Sequence, residues 1–218
     1  MTDVEMASIP AGRVLRGDQR GAERREIVVE AFEIGVYPVT EEQLAELLGI
    51  PSRDPRRPAT QISWLRAIRL CNALSEWEGL DPVYSYDGEV VATDAEADGF
   101  RLPTEDEWEY ACRAGSTSSA YGPIREVAWT ASDGVGHPSE VGARLPNLHG
   151  LFDTLGNVWE WCMDPYDAAG GDDSRVFRGG GWSDAPALVR ASARRGGRPR
   201  DAFDDVGVRV ARGAVAQL

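Results

Sequence analysis

The sequence predicts an α+β fold with few helices, short strands and a large share of irregular but ordered chain. Three observations carry that prediction. Helical patterns with caps occur only in the first half of the 218 residues. Residues 114–150 are rich in Gly, Ser and Pro and show no periodicity. Short β-branched or aromatic runs stand at both ends. A stretch as long as 114–150 exceeds an ordinary connecting loop, so it has to pack as irregular structure or serve a function.

Taken in order, residues 8–39 alternate in strand fashion, with "VLRG" followed by the β-branched "REIVVEAFEIGVYPVT". Thr40 ahead of "EEQLAELLG" supplies an N-cap, an acidic first turn, an apolar stripe and a closing Gly49. After the proline-rich "PSRDPRRPAT", a second helix opens at Ser63. It sets Trp64, Ile68, Cys71 and Leu74 at helical spacing and ends at Gly79. "PVYSYDGEVVAT" predicts a hairpin through Asp87-Gly88.

In "RLPTEDEWEYACRAG", Pro103 sets φ and Thr104 begins a capping box completed by Glu107, with Trp108, Ala111 and Cys112 on one face. "LFDTLGNVWEW" and "RVFRGGGW" read as short strand-like pieces, and "VGVRVAR" as a terminal strand. Trp159 and Trp161, two apart, face one side and bring large apolar area to a core short of regular elements. Gly179, Gly180 and Gly181 mark backbone with no room for Cβ atoms or with positive φ.

Composition excludes several classes. Net charge is −13, yet residues 175–212 carry nine arginines against four aspartates, about +5 locally. An acidic surface elsewhere opposes general binding to phosphate backbones, so no nucleic-acid partner is expected. No apolar run approaches about 18 residues, and the N-terminus lacks a basic-then-apolar signal layout, so the expectation is a cytoplasmic protein with no membrane partner. Cys71, Cys112 and Cys162 show no metal spacing and read as small buried hydrophobes. His137 and His149 lie in Gly/Pro-rich loops and read as surface residues.

Four segments in order resemble the formylglycine-generating enzyme (sulfatase-modifying factor) family: "IPAGRVLRG", "GFRLPTEDEWEYACRAG", "GLFDTLGNVWEWCMD" and "RVFRGGGW…VRASARR…DDVGVRVAR". "VYPVT" and "ISWLRAIRLCNALSE" fit between them. The resemblance spans nearly the whole chain and implies one domain over 1–218. Its fold would be C-type-lectin-like: few helices, short antiparallel strands and much ordered loop. Arg178, Arg190, Arg194 and Arg209 match family positions that hold structure.

The resemblance also implies a calcium site formed by Asp153, the carbonyls of Gly156 and Val158, and Glu160. Hard cations take such oxygens. The alternative is that Asp153 caps a turn and Glu160 pairs with an arginine. Activity in the resembled enzymes depends on two closely spaced cysteines in the C-terminal segment, where thiolates suit copper. Residues 178–213 hold no cysteine, and Ala187, Val189 and Ala193 offer no ligand, so no copper is expected. The related sulfoxide synthases add an iron-binding helical domain that this chain does not show.

A further group of similar proteins, the variable proteins of diversity-generating retroelements, lacks those cysteines and uses the fold for display. The frame of Gly180, Trp182, Arg190, Ala193, Arg194, Pro199, Gly207 and Arg209 matches it. The expectation is then a non-catalytic protein whose ligand-binding face, within residues 183–205, uses Trp182, Ser183, Asp184, Ala187, Leu188, Arg195, Arg198, Arg200, Asp201, Phe203 and Asp204. Its ligand would be a protein or small molecule, with the domain free or docked to another chain. The alternative is an oxidoreductase of the same superfamily with an altered active site.

Overall fold

The computed structural model describes residues 3–16, 25–88, 90–167 and 173–214. The N-terminal strands form as the alternation predicts. β1 (Met6–Ile9) pairs antiparallel with β4 (Phe32–Gly35), and β2 (Gly12–Arg16) with β3 (Arg25–Val29).

The three predicted helices form at their predicted caps. In α1 (Glu41–Leu48) the Thr40 side chain accepts from the Gln43 amide, and the Gln43 side chain accepts from the Thr40 amide. Helix α2 (Trp64–Glu78) starts on Ser63 and ends at Gly79, which takes the left-handed backbone that glycine accepts freely. It buries Trp64, Ile68, Cys71 and Leu74 against the main core. The hairpin β5 (Tyr84–Asp87) and β6 (Val90–Thr93) turns at Gly88. Helix α3 (Glu105–Arg113) carries the complete capping box of Thr104 and Glu107.

The segment 114–150 holds only a one-turn helix, α4 (Ile124–Val127), and a 3-10 turn at Ala131–Asp133. Buried polar bonds replace ladder bonds as its anchors. Asn147 donates from Nδ2 to the carbonyls of Ala111 and Cys112, and its Oδ1 accepts from the amides of His149 and Leu151. The Asn147 side chain thereby satisfies buried backbone groups without regular structure.

In the second half, β7 (Trp159–Pro165) lies between β8 (Arg175–Arg178) and β10 (Val206–Gly207), and β9 (Arg194–Gly197) extends the sheet beyond β8. Trp159 and Trp161 both meet Phe177 edge-on, at centroid distances of 5.4 and 5.0 Å.

Two expectations need correction, and one strand stands where the sequence suggests none. The strand read in "LFDTLGNVWEW" begins only at Trp159, because Asp153, Gly156 and Asn157 hold left-handed backbone that no ladder accommodates. The single terminal strand divides into β10, parallel to β7, and β11 (Ala211–Arg212), antiparallel to β4. Between them Val208 and Val210 enter the main core while Arg209 bonds elsewhere. Finally, β9 has the sequence "RRGG", which carries no strand propensity. It forms because β8 supplies a partner register and because Gly197 fits where a Cβ would come within 3.0 Å of Phe203 and Trp161.

Candidate binding face

The candidate face rests on buried ion pairs. Arg178, 1% exposed, reaches Glu105 at 3.1 Å and pairs with Glu109, while its two terminal nitrogens also donate to the carbonyls of Ser192 and Ala191. Arg194 adds a second bond to Glu105 and lies over the Tyr166 ring. Burial alone would raise the Glu105 carboxyl, but Arg178, Arg194 and Arg16 outweigh it and hold the group below its usual range. These contacts tie the segment after "RGGG" to α3. The structural assignment of Arg178, Arg194 and Arg209 therefore has a geometry behind it. Arg190 is half-buried.

The glycines make the entry into the face. Gly179 and Gly180 stand at φ of 106° and 92°. A Cβ on Gly180 would meet Val189 at 2.9 Å, and one on Gly179 would meet the Thr154 carbonyl at the same distance. The chain turns sharply there, and Trp182 follows with its amide bonded to the Asn157 carbonyl.

The predicted face residues divide into exposed, half-buried and buried positions. Ser183, Ala187, Leu188, Arg195, Arg198, Arg200 and Asp204 are exposed. Ser183 bonds Asp205, and Arg195 bonds Asp184 from across the loop, so the two ends of the segment share one surface. Trp182, Asp201 and Phe203 are half-buried.

The sequence places Asp184 on the ligand-binding face, but the structure makes it a buried anchor. Its carboxylate accepts from Trp159 Nε1 at 2.8 Å, from the Gly181 amide at 2.9 Å and from Arg195 at 2.7 Å. A buried carboxylate needs that many donors. Its three-residue spacing from Gly181 was the one signal available, since a short polar side chain can bond a nearby backbone amide. Phe203 likewise leans on Trp161 and Phe177, at 6.5 and 5.8 Å between centroids. Its aromatic surface is partly spent on the core.

Of the residues expected at a calcium site, the Asp153 and Glu160 carboxylates both have protein partners. Both Glu160 oxygens accept from Arg209, at 2.7 to 3.1 Å, and one also accepts from Trp108 Nε1 at 2.6 Å. Neither the Glu160 nor the Arg209 side chain has any exposed surface. A carboxylate so engaged, with a guanidinium against it, does not fit a calcium ion. Asp153 accepts from the Gly142 amide and faces Asn157. Burial pushes its carboxyl up to about 6. Among the described residues no group of three His, Cys, Asp or Glu side chains converges as a metal site.

The three cysteines are buried and unpaired, as the sequence suggests. Burial pushes the Cys112 thiol up to about 12 and raises Cys71 and Cys162 as well, so none carries a thiolate at neutral pH. His137 is exposed and His149 half-buried beside Tyr110. Among the described residues no helix is long and apolar enough to cross a membrane.

An α+β scaffold of ordered loops, pinned by buried arginine–carboxylate pairs and ending in a partly exposed loop face, has the C-type-lectin-like architecture. The chain belongs to the sulfatase-modifying factor enzyme 1-like domain family, which matches residues 2–214. It is 33% identical to the inactive C-alpha-formylglycine-generating enzyme 2 of Bos taurus, over 97% of this chain and 89% of that protein. It is 30% identical to the formylglycine-generating enzyme of Streptomyces coelicolor, over 73% of this chain and 54% of that one. Among solved structures it is similar to Treponema denticola variable protein 1, with a TM-score of 0.86, 27% identity, and coverage of 95% and 94% of the two chains.

Proposed function

We propose that this chain is a non-catalytic binding protein that displays exposed residues of the segment 183–204 on a rigid scaffold. The observation that carries the reading is the division inside that segment. Asp184 and Gly197 are buried and tied to the core, while Ser183, Ala187, Leu188, Arg198 and Asp204 are exposed. Rigid support with exposed variable positions is what a loop-borne binding surface requires. The similarity to a variable protein and to a relative named inactive supports the same reading. So does the chemistry of the segment, which offers no thiol to hold copper or a substrate cysteine.

Two experiments test it. A photo-cross-linking residue placed at Leu188 and expressed in the native host should give an adduct that the same residue at exposed Val90 does not. Equal labelling from both positions would overturn the binding face. Oxygen consumption with copper and a cysteine-containing peptide should stay at background, and turnover would overturn the non-catalytic reading. In the neighbouring DNA, a near-copy of the codons for 183–205 differing at adenines would identify a diversity-generating retroelement.

A further inference from the structure

The cleft at the start of α2 gives the binding face a second half. It has a volume of about 390 Å³, and its lining includes Glu41, Arg53, Thr60, Gln61 and Arg66. The α1–α2 connection and the first turn of α2 form its walls. The segment 198–203 is fastened directly to it. The Leu65 amide donates to the Pro199 carbonyl at 3.1 Å, and the Gln61 amide to the Phe203 carbonyl at 2.8 Å. Gln61 adopts φ of 55° at that junction, a conformation non-glycine residues rarely take. Arg66 and Arg198 each stand one residue from the Leu65–Pro199 bond.

Three exposed arginines that make no ion pair among the described residues adjoin this cleft. Carboxylates outnumber arginines 36 to 23 in the chain, and most described arginines form an ion pair. Arg53, Arg66 and Arg198 are exposed and, among the described residues, make no ion pair. The acids beside them are occupied. Glu41 accepts from the amides of Arg53 and Asp54, Asp54 pairs with Arg57, and Asp201 accepts from the Arg198 amide. The cleft also adjoins the N-terminal end of a helix of 15 residues, where the dipole favours negative charge.

We propose that this cleft and the adjoining Arg198 turn take an acidic segment of a protein partner, its carboxylates meeting Arg53, Arg66 and Arg198. Planar guanidinium groups match carboxylates in bidentate geometry. The ligand is extended, since Arg198 lies outside the cleft lining that Arg53 and Arg66 share. It is a peptide rather than a nucleic acid. A phosphate backbone carries charge at every step and would meet a chain of net charge −13, whereas an acidic segment needs only a few carboxylates in one place.

The inference rests on the reading of 183–204 as a binding face and extends it across Pro199. Fluorescence anisotropy of a labelled oligoglutamate peptide with the full chain, at low salt, tests it. Saturable binding is expected, weakened about ten-fold or more by R66E and by R198E and weakened by added salt. R13E, on the β2–β3 hairpin, should leave it unchanged. The milder R53Q/R66Q/R198Q variant, checked by circular dichroism, separates lost binding from lost folding.

Absent binding, equal loss with R13E, or an oligothymidylate of equal length binding as tightly would overturn the assignment. An adduct from position 188 without peptide binding removes the acidic ligand and leaves the face. Arg66-dependent peptide binding without that adduct supports the cleft and removes the 183–204 reading.

Discussion

Glu160 and Arg209, 49 residues apart, meet in the interior with both side chains fully buried, and Arg209 also donates to the carbonyls of Gly35, Val36 and Phe152. One guanidinium thus joins the N-terminal sheet, the loop before β7 and β7 itself. Removing either partner leaves an uncompensated buried charge. Glu160→Gln is expected to lower unfolding stability by about 3–5 kcal/mol in urea titration. The double variant Glu160→Gln/Arg209→Met should recover part of that loss.

The same pair decides how the protein responds to chelation. With Glu160 committed to Arg209 and Trp108, the expected melting midpoint is the same with and without a calcium chelator. A fall of several degrees on chelation would show that the protein holds a stabilising cation.

Asp153 predicts an unusual pH dependence. Burial raises its carboxyl to about 6, and burial raises that of Asp164 to about 6 as well. A group raised in the folded state contributes stability that is complete below its unfolded pKa and is lost as pH rises through the folded value. Both aspartates therefore favour pH 5 over pH 7.5. Glu105, held low, acts in the opposite sense only as pH falls below the ordinary carboxylate range. The substitution D153N, which suits the left-handed backbone there, should add about 1–3 kcal/mol at pH 7.5 and little near pH 4. Thermal melts across that range check it.

Asp184 separates scaffold from display. Asp184→Ala strands the Trp159 indole N–H and the Gly181 amide in the interior and is expected to cost about 2–4 kcal/mol. Ser183→Ala and Leu188→Ala, at exposed positions, should stay within about 0.5 kcal/mol. Comparable losses at all three positions in chemical denaturation would mean that the exposed residues also hold the loop.

The features legible along the chain are local ones. Helix ends follow from Thr40, Ser63 and Thr104 because a capping side chain bonds an amide only three residues away, and Gly49 and Gly79 end helices through their own backbone freedom. The family frame likewise lies in ordered motifs that can be read along the chain. Which polar residues are structural depends on contacts between distant segments. Asp184 and Ser183 are neighbours in a loop of mixed composition, yet one is buried beneath Trp159 and Arg195 and the other is exposed. Glu160 goes to Arg209 because the chain changes sheets between β10 and β11, and β9 exists because β8 offers it an edge. Such partners come from distant segments, so no local pattern announces them. A buried charge takes whichever donors the fold brings within reach.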